Sequence, residues 1–260
     1  MSRQAVVRAL DSMGLADSAF ALYQRYQAWR SRGADVGAQA DGLPVPPAYL
    51  RVLTAGHADA EIFLSQGRDT FAEVAMLAAR HGLPLEAGLK VLEFGSGCGR
   101  SSRYASLTPV ELSGCDINPK LVAWTQANLP GRFVLSRQTP PLMFEIGEFD
   151  LVYAISVFTH MTDAPLRAWL AELARVVRPG GLAVLTFFDP LIPVAADFAE
   201  DLAREGFHIR HNGAEGSNLL CGYMTREGFA ERAAPDWTLV DVLDSPASAS
   251  GQAMAVFRRV

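Results

Sequence analysis

Cysteine is scarce in this chain. Three residues of 260, Cys98, Cys115 and Cys221, form an odd set without metal-ligand spacing, which excludes a disulfide framework and a thiolate metal site. They read as small buried hydrophobes in a reducing compartment. A basic surplus is missing as well. Lysine and arginine number 23 against 28 acidic residues, a net charge of −5, which argues against a general grip on nucleic acid. No apolar run approaches the roughly 20 residues a membrane span needs. Met1 to Arg32 lacks the continuous apolar core of a signal peptide. Internal repeats, low-complexity runs and His/Glu clusters with metal spacing are also lacking. These absences leave a cytoplasmic enzyme as the expectation, with no nucleic-acid, membrane or metal partner and an oligomeric state the sequence does not specify. The length suits one large α/β domain or one domain with an appendage, with ample residues for a core.

What is present divides near position 85. Met1 to about Arg32 reads as helical, and Gly33 to Pro47, rich in glycine, proline and alanine, as a linker. A second helical stretch ends in Thr70 to Arg80. There Thr70 and Glu73 have capping-box spacing, Phe71, Val74, Leu77 and Ala78 share a face, and Gly82 is a stop. Residues 1–85 are therefore expected to form a helical cap packed on a domain spanning 86–260. From Leu89 strands and helices alternate. Strands are expected at Leu89 to Phe94, Val110 to Ile117, Arg132 to Ser136, Phe149 to Val157 and Leu182 to Phe188. Helices are expected at Arg100 to Leu107, from Asn118-Pro119 to Leu129, and from Asp163 to Pro179-Gly180-Gly181. Such repetition implies a parallel sheet with right-handed crossovers. Leu191 to Met224 reads as irregular, a substrate-side insertion over 190–224. Thr225 to Ala233 reads as a short helix, and Trp237 to Leu243 with Ala253 to Arg258 as a closing antiparallel hairpin.

The most informative stretch runs from Lys90 to Arg100. An apolar strand ends at Glu93-Phe94 and enters Gly95-Ser96-Gly97-Cys98-Gly99. Glycines at alternate positions after a strand suggest a nucleotide-like ligand on the turn. In a dinucleotide site the pyrophosphate lies at the helix N-terminus, where Glu93 would tend to repel it. Arg100 also stands where the dinucleotide pattern needs glycine. A ligand carrying positive charge fits better.

Strand, Glu93, the Gly95-x-Gly97-x-Gly99 turn and Asp116 closing the second strand together resemble class I S-adenosylmethionine-dependent methyltransferases. Phe149 to His160 is similar to the fourth-strand motif of their small-molecule members, and Arg178-Pro179-Gly180-Gly181 before the fifth strand is typical of them. The resemblance covers roughly Leu83 to Asp189. It implies a Rossmann-like α/β fold: a seven-stranded, mostly parallel sheet with a closing antiparallel hairpin, plus the N-terminal helical cap. It also implies S-adenosyl-L-methionine as cofactor, S-adenosyl-L-homocysteine as product, and a site at the carboxyl ends of the strands.

In that frame Glu93 would favour the cofactor's charged amino-acid end, and Gly95 and Gly97 would let the chain approach it. Asp116 would accept from the ribose hydroxyls, Ile117 would lie on the adenine, Gln138 would meet its edge, and Ser156 belongs to the same donor site. Each has a plainer use: Glu93 as a helix cap, Asp116 as a turn acid, Gln138 as a loop residue. Arg100 is either a surface ion pair or a contact to a cofactor or substrate carboxylate.

Methyl transfer from a sulfonium needs alignment more than covalent catalysis. His160 is the candidate general base, and Asp189 could pair with a base or bind substrate; helix capping and a bare turn are their plainer roles. His208 and His211 could touch substrate, and Tyr223, Phe187 and Phe188 could line its pocket or simply pack. The acceptor is expected to be a small molecule or a sugar unit of a glycan, methylated at oxygen, nitrogen or carbon. A catalytically silent cofactor-binding protein and a nicotinamide-dependent oxidoreductase remain the competing classes.

Overall fold

The computed structural model describes residues 16–30, 41–210 and 220–260. Most of the expected linker and His211 lie outside them. Nine strands and eight α-helices are described. The helices are α1 (Ala16–Arg30), α2 (Ala48–Ala55), α3 (Ala60–Arg80), α4 (Ser102–Ala105), α5 (Pro119–Asn128), α6 (Asp163–Val176), α7 (Ala199–Glu205) and α8 (Arg226–Ala233). The strands are β1 (Lys90–Phe94), β2 (Glu111–Asp116), β3 (Arg132–Leu135), β4 (Phe149–Ala154), β5 (Val177–Phe187), β6 (Phe207–Arg210), β7 (Cys221–Met224), β8 (Trp237–Leu243) and β9 (Ala253–Arg259).

Seven strands form one sheet in the order β3-β2-β1-β4-β5-β9-β8. The first five are parallel, and β9 enters antiparallel between β5 and β8. This is the expected sheet with its closing hairpin. Because β9 runs backwards, its first residues stand at the carboxyl edge beside the end of β5, where Ala253 pairs with Phe187. The direction of strand addition reverses between β1 and β4, and α/β sheets bind ligands at the carboxyl edge of such a switch point.

Both sheet faces are covered, which explains the nearly unbroken apolar runs of β4 and β5. On one face Leu166, Trp169, Leu170, Leu173 and Val176 of α6 bury their stripe against Phe94, Val152 and Leu185. On the other face Phe71, Val74, Leu77 and Ala78 of α3 share a core with Val91, Tyr153, Val184 and Val256. Each of the larger of these side chains contributes roughly 1.5–3 kcal/mol by burial. α3 is therefore a covering layer of the sheet.

Several element boundaries differ from the sequence reading, each for a local reason. α3 runs unbroken from its Asp59 cap, whose side chain accepts from Ile62 N at 2.9 Å, so Thr70 is a buried mid-helix residue and not a start. The helix after the glycine turn shrinks to Ser102–Ala105. α6 stops at Val176, and Pro179-Gly180-Gly181 lies within β5, where the register to β4 shifts. β4 stops at Ala154 because Ser156 turns the chain at φ 60°. Among its described residues the stretch 190–224, expected to be irregular, holds α7 and an antiparallel β6–β7 pair in register Phe207↔Met224. Its short strands alternate too weakly to be read from four residues each.

Candidate functional site

Glu93, the glycine turn, Asp116, Ser156 and His160 all come from the carboxyl edge of the sheet. The turn is tied down by the neighbouring strand: Gly95 N and Ser96 N both donate to Cys115 O, at 2.8 and 2.9 Å. Asp116 fixes it further. One carboxylate oxygen accepts from Gly97 N at 2.8 Å and the other from Asn118 N at 2.8 Å. Each oxygen keeps a second lone pair for a ligand. Burial raises the carboxyl's pKa against these hydrogen bonds.

The glycines are demanded by protein packing as well as by any ligand. Gly95 and Gly97 sit at φ 77° and 56°. A Cβ at Gly95 would stand 2.4 Å from Val157 Cγ2, and one at Gly97 2.5 Å from Thr54 Cγ2. Thr54 belongs to α2. Its hydroxyl accepts from Cys98 N at 3.0 Å and donates to Cys98 Sγ at 3.2 Å, so the N-terminal helices rest directly on the turn. Nothing in the sequence around Thr54 signals this contact, which exists only in the folded chain.

Glu93 is almost wholly buried (2% exposed) and held by three hydroxyls. Ser101 donates to one carboxylate oxygen at 2.5 Å, and Tyr153, at 3.1 Å, and Ser102 both donate to the other. Burial pushes its carboxyl up to about 7 despite these donors, with the Arg100 charge pulling the other way. The carboxylate acts through its field and by shaping the turn. Its oxygens do not stand open to a ligand.

His160 ends a short 3-10 turn, Phe158–His160, after β4. Its Nδ1 lies 2.7 Å from Leu220 O. A carbonyl only accepts, so Nδ1 carries the proton and Nε2 keeps a lone pair. Burial lowers the imidazole's pKa, partly countered by that hydrogen bond, so the ring is neutral at neutral pH. This is the form a base requires.

Asp189 corrects an expectation. It is buried, and it accepts from Ser245 Oγ at 2.6 Å, Ser245 N at 3.1 Å and Leu191 N at 3.2 Å. It does not pair with His160; its hydrogen bonds anchor the β8–β9 connection to the end of β5. His208 stacks on Phe198 at 4.1 Å between ring centres, and Phe188 on Tyr223 at 5.1 Å. These rings form a small apolar cluster of their own with Ala195 and Leu202. Phe187 packs in the main core.

Ile117 is exposed (44%) directly after Asp116, and Gln138 is exposed in the loop after β3. Both follow strand ends on the β3 side of the sheet's carboxyl edge. Ser156, the single non-glycine residue at positive φ among the described residues, donates its N–H to Thr186 Oγ1 at 2.7 Å and accepts from Gln252 Nε2 at 2.6 Å. Gln252 precedes β9 and was not legible as a site residue, since only the antiparallel insertion of β9 brings it here. Ser96 Oγ and Gln252 Oε1 are buried without a protein partner among the described residues. Unpaired polar atoms on the rim, a carboxylate with spare lone pairs and a neighbouring exposed isoleucine suit a nucleoside with polar substituents.

The sheet order and its closing hairpin are those of the Rossmann-like fold that class I methyltransferases share. Residues 91–181 match the family model of a methyltransferase domain. The chain is similar to a demethylmenaquinone methyltransferase of Beutenbergia cavernae, 34% identical over 125 residues, covering 48% of this chain and 50% of that relative. It is equally similar to a ubiquinone biosynthesis O-methyltransferase of Rhizobium rhizogenes, 34% identical over 117 residues, with 44% and 46% covered. The chain thus spans about half the length of the curated relatives it matches. Among solved structures, the fold resembles the 1,6-didemethyltoxoflavin-N1-methyltransferase of Burkholderia thailandensis with bound 1,6-didemethyltoxoflavin and S-adenosylhomocysteine. That likeness has a TM-score of 0.54 and 21% identity, covering 87% of this chain and 94% of that one. By these likenesses the chain resembles the class I S-adenosylmethionine-dependent methyltransferases, with residues 91–181 as the matched domain. No described helix is long and apolar enough to cross a membrane, and the described residues hold no cluster that could bind a metal ion.

Proposed function

We propose that the chain transfers a methyl group from S-adenosyl-L-methionine to a small-molecule acceptor, releasing S-adenosyl-L-homocysteine. The observation that carries this is Asp116. It closes β2 beside the glycine turn, pins Gly97 with one oxygen, and keeps lone pairs free for a pair of ribose hydroxyls. Exposed Ile117 and Gln138 extend the surface toward an adenine. Ser96 Oγ, buried and unpaired, supplies one more group for the donor. The names of the similar proteins, a demethylmenaquinone methyltransferase and a 1,6-didemethyltoxoflavin-N1-methyltransferase, support a small-molecule acceptor.

The bound donor supplies an activated methyl on a sulfonium, so no covalent protein intermediate is needed. The residues hold the two reactants in line and keep water out. His160 Nε2 takes the proton of an acceptor hydroxyl or amine while Nδ1 stays bonded to Leu220 O, which fixes the tautomer. With the donor bound, its sulfonium would supply the methyl group and leave as a thioether, and His160 would hold the proton given up by the acceptor. Asp189 serves as an anchor for the rim and has no part in the proton transfer.

Incubating the protein with small-molecule extracts and methyl-labelled S-adenosyl-L-methionine tests this reading. Mass spectrometry should show an enzyme-dependent product carrying the labelled methyl group. Absence of any cofactor consumption across broad extracts would favour a silent cofactor-binding protein instead.

A further inference from the structure

Ser156 departs from the ordinary conformations of a residue with a side chain. At φ 60° it is, among the described residues, the only non-glycine in the left-handed region, where a Cβ crowds the following carbonyl. Such strain persists only where the surroundings enforce it. The turn that Ser156 starts leads to both halves of the site. Val157, the next residue, packs on Gly95 of the glycine turn, so closely that a Cβ at Gly95 would stand 2.4 Å from its Cγ2. His160 closes the same turn, its N–H donating to Val157 O at 3.1 Å. Phe158 between them is fully buried in the main core, against Phe94 and Phe229.

Two side chains hold Ser156. Thr186 Oγ1 of β5 accepts from its N–H at 2.7 Å, and Gln252 Nε2 donates to its Oγ at 2.6 Å. Gln252 is itself fixed: Ser250 Oγ accepts from its N–H at 3.2 Å and donates to its carbonyl at 3.1 Å. Its side chain is buried, and Oε1 has no partner. An unpaired buried amide oxygen costs stability, so stability alone does not explain this residue. The one hydrogen bond its carboxamide makes goes to Ser156. We infer that Gln252 is a positioning residue: it holds Ser156 in the left-handed conformation that sets Val157 against the glycine turn and carries the chain to His160. The inference rests on the proposed function, in which His160 is the base, and adds a residue beside β9 that aligns it. Gln252 acts through Ser156.

Glycine adopts φ 60° without strain and alanine does not, so two replacements at Ser156 separate backbone holding from side-chain chemistry. The readout is the rate of methyl transfer from labelled S-adenosyl-L-methionine in one small-molecule extract. Ser156→Gly should transfer roughly tenfold faster than Ser156→Ala, the reverse of their usual order at an ordered position. Gln252→Leu should slow the wild-type chain by roughly tenfold. In the Ser156→Gly chain the same change should cost less than about twofold, because glycine needs no holding. Circular dichroism checks that each variant is folded, and Gln252→Met replaces Gln252→Leu if the latter is not. The assignment is overturned if Ser156→Ala is as fast as Ser156→Gly, or if Gln252→Leu transfers at the wild-type rate. An equal loss from Gln252→Leu in both chains overturns it in favour of a packing role. Wild-type protein that transfers no label in any extract removes the proposed function itself, and the assignment with it.

Discussion

At the scale of single residues, chemistry turns on how burial and hydrogen bonding set each group's state. His160 illustrates this. One nitrogen is committed to Leu220 O, and burial depresses the ring's pKa, so the other nitrogen remains a base to lower pH than a free histidine would. The sign follows: the base is present above the depressed pKa and lost by protonation as pH falls through it. His160→Gln should lower kcat by roughly 10²–10⁴-fold and remove the acid limb of the pH–rate profile. Affinity for S-adenosyl-L-homocysteine should stay unchanged, as calorimetry would show; a retained acid limb would assign the base elsewhere. Glu93, Asp116 and His160 were legible because each follows an apolar strand at a sheet's ligand edge. The sequence does not show that Glu93 would be sealed by three hydroxyls. Those hydroxyls come from Ser101 and Ser102 on the next element and Tyr153 on a neighbouring strand.

At the scale of elements, the site is a set of strand ends held in register by small polar anchors. Asp189 fastens the β8–β9 connection to the end of β5 through Ser245. Glu73 of α3 grips the same connection, accepting from Ala249 N at 2.7 Å and Ser248 Oγ at 3.0 Å. The connection then leads into Gln252 and so to Ser156. Asp189→Ala leaves buried Ser245 donors unpaired and should cost roughly 1–3 kcal/mol of stability, read by denaturant unfolding. The shape of the pH–rate profile should not change, because the carboxylate anchors a loop and takes no proton. A profile that lost a limb would restore Asp189 to the chemistry. β1, β2 and α5 matched their sequence reading closely because strand pattern, cap and proline signals agreed there. The Asn118 cap accepts from Lys120 N as its position before Pro119 implied. The β6–β7 pair was illegible because its two strands are four residues each and are stabilised by tertiary neighbours such as Phe188.

At the scale of the whole molecule, the parallel sheet, its antiparallel closing hairpin and the site at its carboxyl edge followed from the strand–helix alternation. The relation of the N-terminal helices to that edge did not. α2 reaches the glycine turn through Thr54, and α3 crosses from Arg100 to the β8–β9 connection while covering one sheet face. A segment that reads as an appendage thus shares both the core and the rim of the site, and no local pattern encodes such a long-range contact. The central claim is that this rim, built on Asp116 and the glycine turn, holds an S-adenosyl donor and not a dinucleotide. Calorimetric titration of the wild-type protein and Asp116→Ala with S-adenosyl-L-homocysteine and with NADH tests it most directly. The account predicts that S-adenosyl-L-homocysteine binds the wild type well below millimolar concentration, that Asp116→Ala weakens it by roughly tenfold or more through loss of the ribose hydrogen bonds, and that NADH does not compete. NADH binding in preference to S-adenosyl-L-homocysteine, or an affinity untouched by Asp116→Ala, would contradict it.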